Sequence, residues 1–284
     1  MTEPLIRSIS DTARWVAYHR ATESDRPDAI FKDPFARQLA GERGAAIARV
    51  LHDNDWAIAV RTYLFDNGVK TLLARQPVDV VINLAAGLDS RPYRLDLPPP
   101  LQWIEVDLPQ ILEEKRQILA NENPVCKLEV IAENLGDPER RKSLFADLNT
   151  RGRNILVITE GLLLYLDDEK VSSLAADLLA QPNFRHWMAE ITSPKVLKFI
   201  NRKWKRYFEP ANSVMSFAPA DWRKFFRERG WEVESFENLA ETSVTLHRAP
   251  RMMRVFHLIG RAFPRWREKQ RLVWESGLAL LKRA

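Results

Sequence analysis

The fold is decided by the stretch Val78–Asp107, which reads VDVVINLAAGLDSRPYRLDLPPPLQWIEVD. Its β-branched apolar start predicts a strand that is buried on both faces. The strand runs into three small residues, Ala85, Ala86 and Gly87, which allow the backbone to approach a ligand closely. A second apolar segment ends on Asp107. A strand, a small-residue turn and then a carboxylate favour a nucleoside-binding α/β unit, although such strands also occur without a ligand.

The rest of the chain alternates strand-like and helix-like segments. We predict a doubly wound, mostly parallel α/β sheet, because strands alternate with helices. The helix-like segments between the strands are 108–121, 137–150 and 167–180. The predicted strands lie near 78–84, 101–106, 127–132, 154–159, 185–191 and 231–236, and residues 276–282 read as an edge strand or a short helix.

We expect a single domain, 1–284, with three parts. Residues 1–75 read as helical and either cover one sheet face or cap the ligand cleft as a lid. Residues 76–192 form the cofactor-binding half of the sheet, and 193–284 form a C-terminal half with insertions.

Composition narrows the function classes. The chain of 284 residues has 43 basic and 38 acidic residues, a net charge of +5, and this small excess does not predict a nucleic-acid partner. Basic residues are denser over 195–206 and 248–271, where a solvated face is favoured over nucleic-acid or anionic-membrane binding. The single cysteine, Cys126, excludes an intramolecular disulfide and indicates a reducing, cytoplasmic location. Neither membrane insertion nor a metal-ligand cluster is expected.

Two phosphate-binding motifs are missing from the sequence. The turn after the first strand lacks G-x-G-x-x-G, which disfavours a pyrophosphate-bearing cofactor, and a nicotinamide-dependent oxidoreductase is therefore a weaker alternative. A P-loop G-K-[ST] is also absent, so phosphoryl transfer is disfavoured. A nucleoside cofactor without phosphates remains, and S-adenosylmethionine is the common one.

Three phrases make the resemblance specific: Asn83–Arg91 (NLAAGLDSR), Glu105–Pro109 (EVDLP) and Thr159–Leu166 (TEGLLLYL). With them, the chain resembles the leucine carboxyl methyltransferase family over about residues 10–190, and within it the bacterial small-molecule branch that includes tetracenomycin-type polyketide methyltransferases. The resemblance implies a Rossmann-like class I methyltransferase with seven strands, the last antiparallel, which would make 276–282 a strand.

The resemblance also implies roles for individual residues. Asp107 would accept the ribose hydroxyls, and Gly87, with Ala85 and Ala86, would let the methionine part of the cofactor pass over the backbone. Arg61 would pair with the cofactor carboxylate, a contact suited to a guanidinium. Glu160 would lie near the cofactor ammonium group. The remaining cofactor-binding candidates are Arg20, Asn134 and Leu135.

Two positions depart from the family pattern. Ala85 stands where the family has glycine, a mild change if its φ angle is negative. Asn134 precedes Leu135 where the family has aspartate, and an amide oxygen can still accept a hydrogen bond from adenine. Because of both departures, a catalytically silent binding or assembly protein of the same fold remains an alternative interpretation.

The sequence thus predicts an S-adenosylmethionine-dependent O-methyltransferase acting on a carboxylate or hydroxyl of a small molecule, with a polyketide- or lipid-like acceptor among the options. A protein C-terminal carboxylate is the second substrate option. A nucleic-acid methyltransferase is disfavoured because no N-P-P-Y-like phrase follows the fourth strand. Tyr165 and His19 are the catalytic candidates, and the oligomeric state stays open.

Overall fold

Strand β1 shows why this sequence forms a buried sheet. All five residues of Val80–Leu84 are buried, because the strand has neighbours on both sides and helices on both faces. The computed structural model describes residues 5–6, 9–51, 56–209, 214–262 and 275–284. Within these ranges the seven strands, β1 to β7, are Val80–Leu84, Gln102–Asp107, Lys127–Ala132, Ile155–Thr159, Phe184–Ile191, Trp231–Asn238 and Gly277–Arg283.

Eleven α-helices are found in the same described ranges. They are, from α1 to α11, Ile9–Ser24, Ala36–Leu51, Trp56–Arg75, Arg91–Arg94, Pro109–Ile118, Pro138–Asn149, Asp168–Leu179, Pro194–Phe208, Trp222–Arg227, Leu239–Thr245 and Arg251–Ala262. A short 3₁₀ helix, Leu163–Tyr165, follows β4. None of these described helices combines the length and apolar character that crossing a bilayer requires.

The sheet has the order β3-β2-β1-β4-β5-β7-β6. Strands β1 to β5 pair in parallel, and β7 is antiparallel to both β5 and β6. This confirms the predicted doubly wound, mostly parallel seven-stranded sheet. Of the two readings for 276–282, the strand is right and the edge position is wrong, because β7 lies inside the sheet. Its hydrogen bonds to two neighbours explain why the apolar run GLALL is buried.

Alternate side chains of the strands pack into two cores. Val80, Ile82 and Leu84 face α6, α7 and α9, in a cluster that contains Phe145, Leu174 and Phe226. The opposite face, with Val81, packs against α3 in a separate cluster. The period of two along β1 therefore sorts its apolar residues between two helix layers.

The N-terminal helices divide between the two expected positions. Helix α3 covers a face of the sheet through Val60, Leu64 and Phe65. Helices α1 and α2 pack on each other and on Leu88, which follows the small-residue turn of β1. Helix α3 therefore covers the sheet, and α1 caps the carboxyl ends of the strands.

Candidate cofactor and acceptor cavity

A cavity of about 500 Å³ lies at the carboxyl ends of β1, β2, β4 and β5. The strand order reverses between β1 and β4, and ligands of doubly wound sheets bind at this crevice. The cavity brings together most of the residues proposed from the sequence: Arg20, Arg61, Ala85, Ala86, Gly87, Asp107, Asn134, Leu135, Glu160 and Tyr165. His19 is not among the lining residues.

Asp107 ends β2 and fixes the small-residue turn from the neighbouring strand. Its Oδ2 accepts the Gly87 N–H at 2.6 Å and its Oδ1 accepts the Leu108 N–H at 2.7 Å. Burial raises the pKa of this carboxyl, against the lowering effect of the two backbone N–H groups. Each oxygen keeps a further lone pair for a hydroxyl donor, since a carboxylate accepts about four hydrogen bonds.

Ala85 has φ 54°, in the left-handed region that favours glycine. Alanine in place of the family's glycine would be a mild change only at a negative φ angle. Ala85 does not meet that condition. The turn holds this angle because the N–H groups of Ala85 and Ala86 both point at the Val106 carbonyl, at 2.8 and 3.4 Å. The chain keeps a strained alanine beside the candidate cofactor site.

We expect Ala85→Gly to raise the free energy of unfolding by about 1 kcal/mol, because glycine removes the left-handed strain at modest entropic cost. Ala86→Gly is the matched control: Ala86 is not among the residues with positive φ, so glycine there should lower the same free energy. Urea denaturation of both variants measures the difference. Equal destabilisation by the two substitutions would contradict the strain.

Arg61, on α3, reaches two carboxylates at the ends of β4 and β5. Its Nε donates to Glu160 Oε1 at 2.9 Å, and its Nη1 lies 3.2 Å from Glu190 Oε2. Within the described ranges its Nη2 has no protein partner, so this end of the guanidinium can still donate to a ligand. Sequence reasoning missed Glu190, although a carboxylate at the end of β5 was the available signal.

Glu190 also holds the turn after β4. Its Oε2 accepts the Gly161 N–H at 2.8 Å, and Gly161 has φ 70°, an angle suited to glycine. Burial raises the pKa of the Glu190 carboxyl, which nearby Arg61 opposes. One side chain thus connects β5, the β4 turn and the candidate carboxylate-binding arginine.

A buried ion-pair network lies behind these groups. Arg91 contacts Glu160, Asp66 and Asp89 at 2.7–2.8 Å. Arg20 turns its guanidinium toward Asp33, at 2.8 Å, and toward the Leu88 carbonyl, at 2.6 Å. Arg20 therefore borders the cavity while its donors tie α1 to the loop before α2 and to the β1 turn.

Asn134 and Leu135 follow β3 at the rim of the cavity. Asn134 is exposed, and its Oδ1 accepts the Gly136 N–H at 3.0 Å. Its amide oxygen thus closes a tight turn and keeps one further acceptor position. Leu135 is half-buried and contacts the core on the α6 side of the sheet.

The two catalytic candidates lie in different surroundings. Tyr165 borders the cavity, hydrogen-bonds with Thr12, and has its pKa raised by burial to about 12. His19 is buried, with Trp15 and Tyr18 edge-on to its ring, and burial lowers its pKa to about 4. At neutral pH Tyr165 is therefore a protonated phenol, and the described position of His19 gives it no direct access to the cavity.

We expect no Tyr165 phenolate below about pH 11, because burial disfavours the charged form. A difference titration of phenolate absorbance between the wild type and Tyr165→Phe checks this. The two curves should coincide through neutral and mildly alkaline pH and separate only at the alkaline end. A difference already present near pH 8 would instead make Tyr165 a usable base.

The far end of the cavity is apolar. Helix α8 and the cap provide most of it, and the residues are Trp15, Val16, Ile58, Leu164, Val196, Ile200, Trp204 and Met215. Trp204 packs edge-on against Trp15, with ring centroids 6.1 Å apart, and so joins α8 to α1. Trp204 therefore both packs against the cap and lines the cavity.

Comparison with known proteins identifies the family. Residues 13–179, more than half of the chain, match the leucine carboxyl methyltransferase family. The chain belongs to this family. The predicted resemblance is therefore confirmed, and with it the methyltransferase class and the S-adenosylmethionine cofactor as properties of the family.

Proteins of similar sequence are described as S-adenosylmethionine-dependent methyltransferases. A Mycobacteroides abscessus protein named "Putative S-adenosyl-L-methionine-dependent methyltransferase" is 34% identical over 198 residues, 62% of this chain and 63% of that protein. A Parafrankia protein with the same description is 32% identical, over 62% of this chain and 61% of its own length. These two alignments thus span less than two thirds of the relatives. A second M. abscessus protein is 28% identical over 87% of this chain and 90% of its own length.

Two solved structures share the fold. A DUF574 family protein from Streptomyces avermitilis has a TM-score of 0.64 at 13% identity, covering 96% of this chain and 97% of that one. A structure described as a putative methyltransferase, from Thermobifida fusca, has a TM-score of 0.59 at 15% identity, covering 83% and 85%. At such identities the likeness concerns the fold alone, and it agrees with the class I architecture.

Proposed function

We propose that this chain transfers a methyl group from S-adenosylmethionine to a carboxylate or hydroxyl oxygen of a small, largely apolar molecule. The observation that carries the proposal is the continuity of one cavity. Its polar end holds Asp107, Arg61 and Glu160, and its other end is lined by apolar side chains of α1, α3 and α8. A cofactor and an acceptor can therefore meet inside a single cavity.

The polar end suits the cofactor group by group. Asp107 offers lone pairs to ribose hydroxyls, and the Nη2 of Arg61 offers donors to a carboxylate. Glu160 is paired with Arg61 and Arg91, and its carboxylate keeps further lone pairs for an ammonium donor. A volume of about 500 Å³ lies within the ordinary range for small-molecule sites.

The bound cofactor would supply an electrophilic methyl on a sulfonium. The protein residues then have to place the acceptor oxygen in line with that methyl and exclude water. A carboxylate acceptor needs no base, whereas a hydroxyl must lose a proton. Tyr165 stays protonated at neutral pH, so it does not supply that base.

The experiment has two stages. Calorimetric titration with S-adenosylmethionine and S-adenosylhomocysteine establishes cofactor binding, and release of S-adenosylhomocysteine then reports turnover with candidate acceptors. A matched aromatic series, a carboxylic acid, its amide and a phenol of the same skeleton, separates the acceptor groups. A peptide with a free C-terminal carboxylate tests the protein-substrate option.

Two observations favour a second candidate, a catalytically silent protein of this fold. Ala85 sits at a left-handed φ beside the cofactor site, and Arg61 is already held by two carboxylates. Failure of both ligands to bind at millimolar concentration would favour this candidate. If the cofactor bound but no acceptor of the series were methylated, the proposed cofactor site would be supported and the proposed acceptor class would be contradicted.

A further inference from the structure

Helix α8 carries an unusual concentration of charge. Its range, Pro194–Phe208, contains six basic residues and no acidic one, whereas the whole chain has a net charge of +5. The rest of the chain therefore sums to −1. The basic residues are Lys195, Lys198, Arg202, Lys203, Lys205 and Arg206, and all six are exposed.

The outer face of α8 also exposes an aromatic side chain. Phe199 is 56% exposed, although it is large and apolar. Lys195 lies one turn before it, and Arg202 and Lys203 lie one turn after it, on the same face of the helix. Lys198 and Arg202 form no ion pair with any residue of the described ranges. The surface formed by Phe199 and the cations around it, Lys195, Lys198, Arg202 and Lys203, is called the α8 face below.

The opposite side of the same helix belongs to the cavity. Val196, Ile200 and Trp204 line its apolar end, and Leu197 is buried against Leu164 and Met215. The apolar inner side accounts for the packing of the helix. It does not account for Phe199 or for the excess of cations, which are on the outside.

We propose that the α8 face is a docking surface for an anionic lipid membrane. Lys and Arg side chains at the surface of such a membrane are attracted by its negative potential, and an exposed phenylalanine inserts between head groups. Charge complementarity selects an anionic surface, and the apolar cavity lining on the inner side of the same helix favours a lipid over a nucleic acid. Docking here places the helix that borders the apolar end of the cavity next to the bilayer, from which an amphiphilic acceptor could enter.

The surface is distinct from a membrane span. No described helix crosses a bilayer, and the contact proposed is peripheral and reversible. It is also independent of methyl transfer, because docking uses residues that do not line the cavity. A failure of cofactor binding would therefore leave this proposal untouched.

Vesicle co-sedimentation of the full chain tests the proposal. We expect binding to vesicles of phosphatidylcholine mixed with phosphatidylglycerol and no binding to phosphatidylcholine alone. Lys198→Gln with Arg202→Gln should weaken binding about 30-fold, at roughly fivefold for each cation lost. Phe199→Ser should weaken it about tenfold while leaving the charge intact.

The matched control removes the same charge elsewhere. Arg140→Gln with Lys142→Gln alters two exposed cations on α6, with exposed side-chain fractions of 69% and 54%, and should leave vesicle binding unchanged. Equal loss in both double variants would overturn the proposal, since only bulk charge would then matter. Absence of binding to anionic vesicles, or tighter binding of wild type to an RNA or DNA oligonucleotide than to vesicles at the same salt concentration, would also overturn it.

Discussion

Arg61→Ala should abolish measurable S-adenosylmethionine binding and lower the free energy of unfolding by about 3 kcal/mol. The substitution removes the cation that lies between Glu160 and Glu190, whose side chains are each only 14% exposed. Breaking such a pair leaves uncompensated buried charge, which is the costly case for an ion pair. It also removes the donors at Nη2. Calorimetry and urea denaturation measure the two effects separately.

Arg248→Ala is the matched control for Arg61→Ala. Arg248 is likewise a guanidinium held by two carboxylates, Glu23 at 2.8 Å and Asp28 at 3.1 Å, and none of the three lines the cavity. It should lose less stability than Arg61→Ala, because Asp28 is 61% exposed, and it should keep wild-type cofactor affinity. Adding Glu190→Gln to Arg61→Ala should recover part of the stability and none of the binding. Cofactor binding that survives in Arg61→Ala would remove Arg61 from the site.

Asp107→Ala should weaken S-adenosylmethionine binding about 30-fold, equivalent to about 2 kcal/mol for hydrogen bonds to a charged group. Asp107→Asn should fall between alanine and wild type, because the amide keeps one acceptor oxygen. Part of the loss would come from the turn, since Asp107 also holds the Gly87 N–H. Calorimetric titration of the three proteins gives the ranking.

The control for Asp107→Ala substitutes a carboxylate that also accepts backbone N–H groups but lies at the amino ends of the parallel strands. Asp79 precedes β1, and its Oδ2 accepts the N–H groups of Arg153 and Asn154 at 2.8 and 3.0 Å. Asp79→Ala should therefore disturb a turn without changing cofactor affinity. If both variants lost affinity equally, the effect would be a general loosening of the sheet.

The sheet was predictable because its strands are short apolar runs between helix-like segments. Each predicted strand falls within one or two residues of an observed one. The position of β7 was not predictable in this way. Its apolar run is equally consistent with an edge or an interior strand, and only the pairing with β5 and β6 decides.

The candidate site was predictable where a residue directly follows a strand. Asp107 and Glu160 directly follow the second and fourth predicted strands, 101–106 and 154–159, whereas Glu190 lies inside β5, one residue before its end, and is missed by that rule. The apolar end was not predictable, because Trp204 and Met215 reach the cavity from distant parts of the chain. The φ angle of Ala85 was also hidden, since sequence alone does not reveal which residue of a small-residue turn is left-handed.

The interior position of β7 has a consequence for hydrogen exchange. Among the described residues, β6 pairs with β7 alone, which follows it in the chain by about forty residues, so opening β7 also exposes the amides of β6. Opening of β6 alone leaves the bonds between β7 and β5 intact. Amide protons of β6 therefore have at least as many routes to solvent as those that β7 shares with β5, and should exchange no more slowly. The protection of the β6 amides against exchange therefore does not exceed the protection of the amides that pair β7 with β5.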